Sequence, residues 1–108
     1  QGETAEKILK SLLKLNRDDI TLLLSLGNIS LSRRNYPEAL SYYLTVDKNK
    51  VLQEPELCYN IALSYDGLGS KQEAILYYER FIALASQSYL HINAATEAKK
   101  RLTLLKTP

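Results

Sequence analysis

Tryptophan and methionine are absent from this chain, and cysteine, histidine and phenylalanine each occur once. A single cysteine, Cys58, cannot close an internal disulfide, and its setting reads as a buried small hydrophobe rather than a reactive thiol. His91 lies far along the chain from Cys58 and has no acidic or hydroxyl partner at a recognisable spacing. The sequence therefore carries no nucleophile–base signature and no metal-ligand cluster, and His91 reads as a surface or helix-start residue. Glycine is sparse, with 4 residues in all, and Gly67-Leu68-Gly69 reads as a turn between two helices rather than a phosphate loop. No apolar run approaches the ~20 residues a spanning helix needs, so direct membrane insertion by these residues is not expected. The net charge is only +2. Nucleic acid is thereby disfavoured as a partner, because phosphate binding needs a concentrated basic footprint. The basic cluster Lys99, Lys100, Arg101 and Lys106 reads as a solvated helix end that complements the helix dipole. The missing methionine suggests that residue 1 is not a native start, and Gln1-Gly2 reads as a cleavage scar on a fragment of a longer chain. A cytoplasmic location is the expectation, with a membrane-anchored or periplasmic parent protein kept open.

Against these absences stand 8 tyrosines, a hydrophobic share of 45% and a doubled pattern. Gly27, Ala39 and Tyr43 return as Ala62, Ala74 and Tyr78 at a constant offset of 35 residues. A fixed period of this size marks a stacked repeat array. Within each period the apolar spacing is helical. Ile20, Leu23, Leu24, Leu26, Ile29 and Leu31 cover a broad face, as in a helix with neighbours on two sides. A second helix is predicted to open at Asn35, with Glu38 closing a capping box and Pro37 in the first turn. Ser70 with Glu73 repeats the device, Gly69 supplies the reversal before it, and Pro55 starts the intervening helix. Small residues at Gly27, Ala39, Ala62 and Ala74 allow close helix approach, and Tyr43, Tyr78, Leu26, Ile61 and Tyr65 are the expected core. On the surface, Glu3 with Lys7 and Glu6 with Lys10 form ordinary helix pairs at four-residue spacing.

These residues resemble the tetratricopeptide repeat. In residues 55–84, Cys58 stands at the large first position, Ile61-Ala62 at Leu-Gly, Tyr65 at Tyr, Ala74 at Ala and Tyr78 at the aromatic. Residues 20–54 match through Leu23, Leu26-Gly27, Ala39, Tyr43 and Val46, with Ser30 departing at the Tyr position and an extra residue placed in the Asp47–Glu54 connection. Ala5, Leu9 and Leu12 stand one period before Ala39, Tyr43 and Val46. The resemblance implies an all-α fold, an α-α superhelix of stacked antiparallel helix pairs with about six helices and a right-handed sense. It divides the single domain into the second helix of a partial repeat (3–16), complete repeats at 20–54 and 55–88, and a C-terminal capping helix at 89–106, whose apolar residues run from Leu90 and Ile92 through Ala95, Ala98, Leu102 and Leu105.

The resemblance also places first helices along a concave groove. Its inward positions fall on Thr21, Leu24, Asn28 and Leu31 in one repeat and on Glu56, Tyr59, Leu63 and Asp66 in the next. Leu24, Leu31, Tyr59 and Leu63 are large apolar residues beyond those the core needs, and such surplus marks a binding surface, with Asn28, Glu56 and Asp66 as a polar rim. A competing reading folds Tyr89–Leu105 over them. The carboxylate clamp known from chaperone-binding members is rejected. Asn28 fits it, but Leu24 and Leu63 replace a Lys and an Asn, and Asn93 and Glu97 fall where two cations belong. The function expected is a non-catalytic protein–protein interaction module that takes a peptide or helical segment of another protein, without cofactor or metal. Two alternatives stay open: structural self-association, as a homo-oligomer or solenoid segment, and an accessory domain of a larger enzyme.

Overall fold

The computed structural model describes the backbone of residues 2–48, 54–86 and 89–108 and the side chains of residues 4–46, 54–86 and 89–108. Six α-helices follow one another: α1 (Gly2–Leu15), α2 (Ile20–Ser32), α3 (Tyr36–Lys48), α4 (Pro55–Leu68), α5 (Lys71–Ala85) and α6 (Ile92–Lys106), the last preceded by a 3₁₀ turn at Tyr89–His91. Each helix packs on the next, giving an all-α superhelix of extents 43 × 27 × 25 Å. Two pairs follow in order, α2 with α3 and α4 with α5, in which α2 and α4 are the first helices and α3 and α5 the second; α1 packs before them and α6 after.

The core follows the repeated residues. Leu26, Ala39, Tyr43, Val46, Cys58, Ile61, Ala62 and Ala74 are fully buried, and Tyr78 and Phe81 nearly so. Gly27 is required by its neighbour, since a Cβ there would lie 2.6 Å from Cε1 of Tyr43. Gly67 belongs to the last turn of α4, as expected for a helix that starts at Pro55 and runs over Glu56–Gly67. The ring of Tyr36 lies over it, and a Cβ would meet that ring at 2.4 Å. Tyr65, expected in the core, is half-buried and stacks on Tyr77 at 5.8 Å between centroids.

Helix ends depart from the expected capping. The side chain of Asp19 caps α2 by accepting the Leu22 N–H at 3.0 Å. At α3, Asn35 Oδ1 stands 3.5 Å from the Glu38 N–H, and the Glu38 carboxylate turns away to accept the buried Ser30 hydroxyl at 2.7 Å. The box stays open because the Asn35 N–H it needs donates to Ser30 O instead, and Glu38 takes the Ser30 hydroxyl. Ser70 makes no side-chain cap. Between the helices of each pair, the chain reverses through a left-handed residue whose flanking N–H groups satisfy the last carbonyls. In the later pair this residue is Gly69 (φ 80), with Ser70 N–H donating to Tyr65 O and Gly69 N–H to Asp66 O.

The two ends of the array differ from expectation. Along α1, Leu13 rather than Leu12 packs toward the core, while Ile8, Leu12 and Leu15 are 56%, 45% and 86% exposed and Ala5 is also exposed. The reason is geometric: α3, which carries Ala39 and Val46, packs between α2 and α4, whereas among the described residues α1 packs chiefly on α2. At the other end, Leu90 and Ile92 are exposed, and Ala94, Ala95, Ala98, Leu102 and Leu105 make the packed face of α6. His91 is half-buried at the start of α6, edge-on to Phe81. The Asp47–Glu54 connection, where an extra residue was expected, lies mostly outside the described residues, as does the side chain of Glu3. The Glu6–Lys10 pair is present at 3.2 Å.

Candidate functional site

The side of the array formed by α2, α4 and α6 carries a depression of about 470 Å³. Asn28, Leu31 and Ser32 of α2 form one wall, Glu56, Tyr59 and Asn60 of α4 the middle, and Phe81, His91 and Ala94 the far wall. A second depression of about 290 Å³ adjoins it, lined by Ile20, Leu24, Asn28, Glu54, Glu56, Leu57 and Asn60. Asn28, Glu56 and Asn60 form the ridge between the two.

This ridge is built by hydrogen bonds that begin in the core. The phenol of Tyr43 donates to Asn28 Oδ1 at 2.6 Å, and Asn60 Nδ2 donates to the same oxygen at 3.3 Å. Burial of Tyr43 pushes its hydroxyl up to about 12, so it stays a donor through the working pH range. With Asn28 Oδ1 used twice, the Asn28 amide hydrogens and Asn60 Oδ1 are left for an incoming main chain. The apolar part is fixed by aromatic packing: the Tyr59 ring lies 4.8 Å from Phe81 and 6.2 Å, edge-on, from Tyr78. Desolvation raises the Tyr59 hydroxyl above its ordinary range, with Glu97 adding to the effect.

Of the eight residues expected along the groove, Asn28, Leu31, Glu56 and Tyr59 come together in the larger depression, and Leu24 lines the smaller one with Asn28 and Glu56. Thr21 is exposed on the same helix. Leu63 is half-buried against the core cluster. Asp66 is not a free rim acceptor. Its oxygens take Nε and Nη2 of Arg101 at 2.6 and 2.7 Å, and the Tyr78 hydroxyl donates to it at 2.9 Å. Arg101 first, and the Tyr78 hydroxyl after it, hold the Asp66 carboxyl below the usual range against the opposing effect of burial. Asp66 thus fastens α6 to the end of α4. α6 takes the place of a following first helix, leaving Leu24, Leu31 and Tyr59 accessible along the depressions instead of covering them.

Phe81 was missed in the sequence because only first helices were projected into the groove, Asn60 because it falls beside the inward positions taken on α4, and His91 and Ala94 because no groove positions were assigned around the start of α6. Phe81 belongs to the second helix α5, and it stands one period after Val46. That exchange of a modest side chain for an aromatic one was the available signal. Chemically the site offers apolar walls, two amides, the carboxylates of Glu54 and Glu56, the hydroxyls of Ser32 and Tyr59, and an imidazole. Cys58 is fully buried, and among the described residues no three His, Cys, Asp or Glu side chains gather as a metal site. No helix among the described residues is long and apolar enough to cross a membrane.

Residues 55–88 and 22–46 each match the tetratricopeptide repeat as a sequence family. No curated protein matches the chain significantly. Among solved structures, the chain is similar to PcrH from Pseudomonas aeruginosa, with 26% identity, a TM-score of 0.79, and coverage of 97% of this chain and 79% of that one. PcrH in complex with the chaperone binding region of PopD is similar to the same degree, at 26% identity and a TM-score of 0.79 over 96% of this chain and 77% of that one. The type III secretion translocator chaperone SycD of Yersinia enterocolitica superposes with a TM-score of 0.84 at 21% identity, covering 97% of this chain and 72% of that one, a likeness of fold. Two matched repeats and the helix pairs they form agree on one conclusion: the chain belongs to the tetratricopeptide-repeat family.

Proposed function

We propose that this chain is a non-catalytic protein-binding module that holds a segment of a secreted, translocator-type protein on its α2–α4–α6 side. The observation that carries this reading is the likeness to PcrH bound to the chaperone binding region of PopD, which extends over 96% of this chain. The depressions supply compatible chemistry. Leu31, Tyr59, Phe81 and Ala94 offer an apolar seat, and Leu24, Ile20 and Leu57 a second. The Asn28 and Asn60 amides between them suit the main chain of an extended segment. Binding of this kind needs burial and hydrogen bonding, with no bond made or broken. Affinity purification from the source organism, wild-type beside Leu31→Glu, tests it. A secreted translocator-type protein should accompany the wild-type chain and be lost from the variant, and equal recovery with both overturns the reading.

One observation favours a second reading, self-association or stacking on a further helix. Ala5, Ile8, Leu12 and Leu15 repeat at alternating spacings of three and four along the exposed face of α1, the pattern of a helix-pairing seam. Sedimentation at several concentrations, with Leu12→Glu as control, separates the two readings.

A further inference from the structure

Between α1 and α3 lies a depression of about 320 Å³ that the groove reading does not use, lined by Lys10, Leu13, Lys14, Arg17 and Tyr42. Leu13 and the Tyr42 ring give it an apolar floor, and three of its five lining residues are cations. The charges are not equivalent. Lys10 is committed, with Nζ 3.2 Å from Glu6 Oε2 and 3.8 Å from Glu38 Oε2. Glu6 is also paired with Arg33, and Glu38 accepts Ser30, so this chain of contacts ties α1, α2 and α3 together and fixes one wall. Lys14 and Arg17, on the opposite wall, make no ion pair among the described residues. The Tyr42 hydroxyl has no hydrogen-bond partner among them either. The uncommitted charges of the depression are therefore both positive, and its uncommitted phenol has a proton to donate.

From this one-sided inventory we infer that the α1–α3 depression is a second docking site, for an acidic segment of a partner protein that sets carboxylates on Lys14 and Arg17 and an apolar side chain between Leu13 and Tyr42. Arg17 can take a carboxylate through two parallel N–H donors, and a half-buried phenol favours an anionic acceptor over water. A nucleic acid would need a longer basic stripe. An anionic membrane would need a denser basic cluster than two uncommitted cations on a concave surface. Because the site is built from α1, the turn after it and α3, while the groove is built mainly from α2, α4 and α6, both can be filled at once.

The test uses the full chain labelled for amide NMR and titrated with a synthetic peptide of alternating Asp and Leu. Parallel titrations use an alternating Lys and Leu peptide, inorganic phosphate and phosphatidylglycerol vesicles. The inference expects shifts centred on Lys14, Arg17 and Tyr42 with the acidic peptide alone. It expects them weakened roughly tenfold or more by combined Lys14→Glu and Arg17→Glu, which leave helicity intact because both residues are exposed. It also expects them to persist in the Leu31→Glu protein, so that loss of the groove and loss of this site are read separately. Shifts that fall on groove residues, that survive the double substitution, or that phosphate or vesicles reproduce would overturn it, as would no shift at all.

Discussion

Arg34 and Gly69 stand one 35-residue period apart and share a left-handed backbone, φ 60 and φ 80. Around Arg34 the bonds of the later turn recur, with Asn35 N–H donating to Ser30 O and Arg34 N–H to Leu31 O, both at 2.9 Å. The turn therefore demands the conformation, and the first pair meets it with a side chain that strains it by about 1 to 2 kcal/mol. Arg34→Gly should stabilise the fold by about 0.5 to 1 kcal/mol, after the extra freedom of glycine in the unfolded chain is deducted. Gly69→Ala should cost about 1 kcal/mol, although nothing lies within 4 Å of the added Cβ. Denaturant midpoints of the two variants should move in opposite directions.

Gly27 tests the packing in the same repeat. An added Cβ would stand 2.6 Å from Tyr43 Cε1 and 2.9 Å from Cδ1, and Tyr43 is fully buried with its hydroxyl tied to Asn28. Gly27→Ala should therefore lower stability by about 1 to 2 kcal/mol despite alanine's better helix propensity. In a Tyr43→Leu background the same substitution should be neutral or favourable, because the obstructing ring is gone. Thermal denaturation of the four proteins gives the coupling directly.

How far the sequence disclosed all this depends on whether a residue acts within its repeat or across it. Gly27, Ala39, Tyr43 and their counterparts at Ala62, Ala74 and Tyr78 revealed the helix pairs because periodic burial leaves a periodic record. Asp66 looked like a rim carboxylate because its partner, Arg101, comes from a helix 35 residues on that carries no repeat signature. Glu38 looked like a capping residue, and the buried hydroxyl that redirects it, Ser30, is a departure from the repeat pattern. Phe81 left only its exchange for Val46 as a mark, and His91 reaches the groove through the way α6 packs, which no local spacing encodes. The α1–α3 depression was invisible for the same reason, since Tyr42 meets Lys14 and Arg17 only after α1 and α3 lie side by side.

The Asp66–Arg101 pair makes the hold on α6 sensitive to acid. Arg101 beside it keeps the Asp66 carboxyl below its ordinary value, so the folded state favours the ionised form. Its contribution is fully present above the unfolded value of about 4 and is lost as pH falls through the depressed folded value. Asp66→Asn should cost about 1 kcal/mol at neutral pH, a modest figure because Arg101 is half exposed and screened. It should also flatten the acid limb of the stability curve. Stability measured against pH for the two proteins should keep a constant gap above about 4 and converge as pH falls from there through the depressed folded value.

Asn28 separates groove binding from stability. Its Oδ1 accepts Tyr43 and Asn60, while its amide hydrogens face the ridge between the two depressions. Asn28→Asp keeps an acceptor for the buried phenol, so the melting temperature should stay close to that of the wild type. The same change removes the only donors Asn28 can offer a main chain and sets a second carboxylate beside Glu56. Affinity for the groove partner should fall about tenfold or more, the scale of a lost hydrogen bond combined with an unfavourable charge. Asn28→Leu, the residue found one period on at Leu63, should instead strand the Tyr43 hydroxyl at a fully buried position and cost about 1 to 3 kcal/mol of stability. Calorimetric unfolding and partner titration of both variants decide the matter. A melting temperature that drops equally in the two would mean that Asn28 serves only the core.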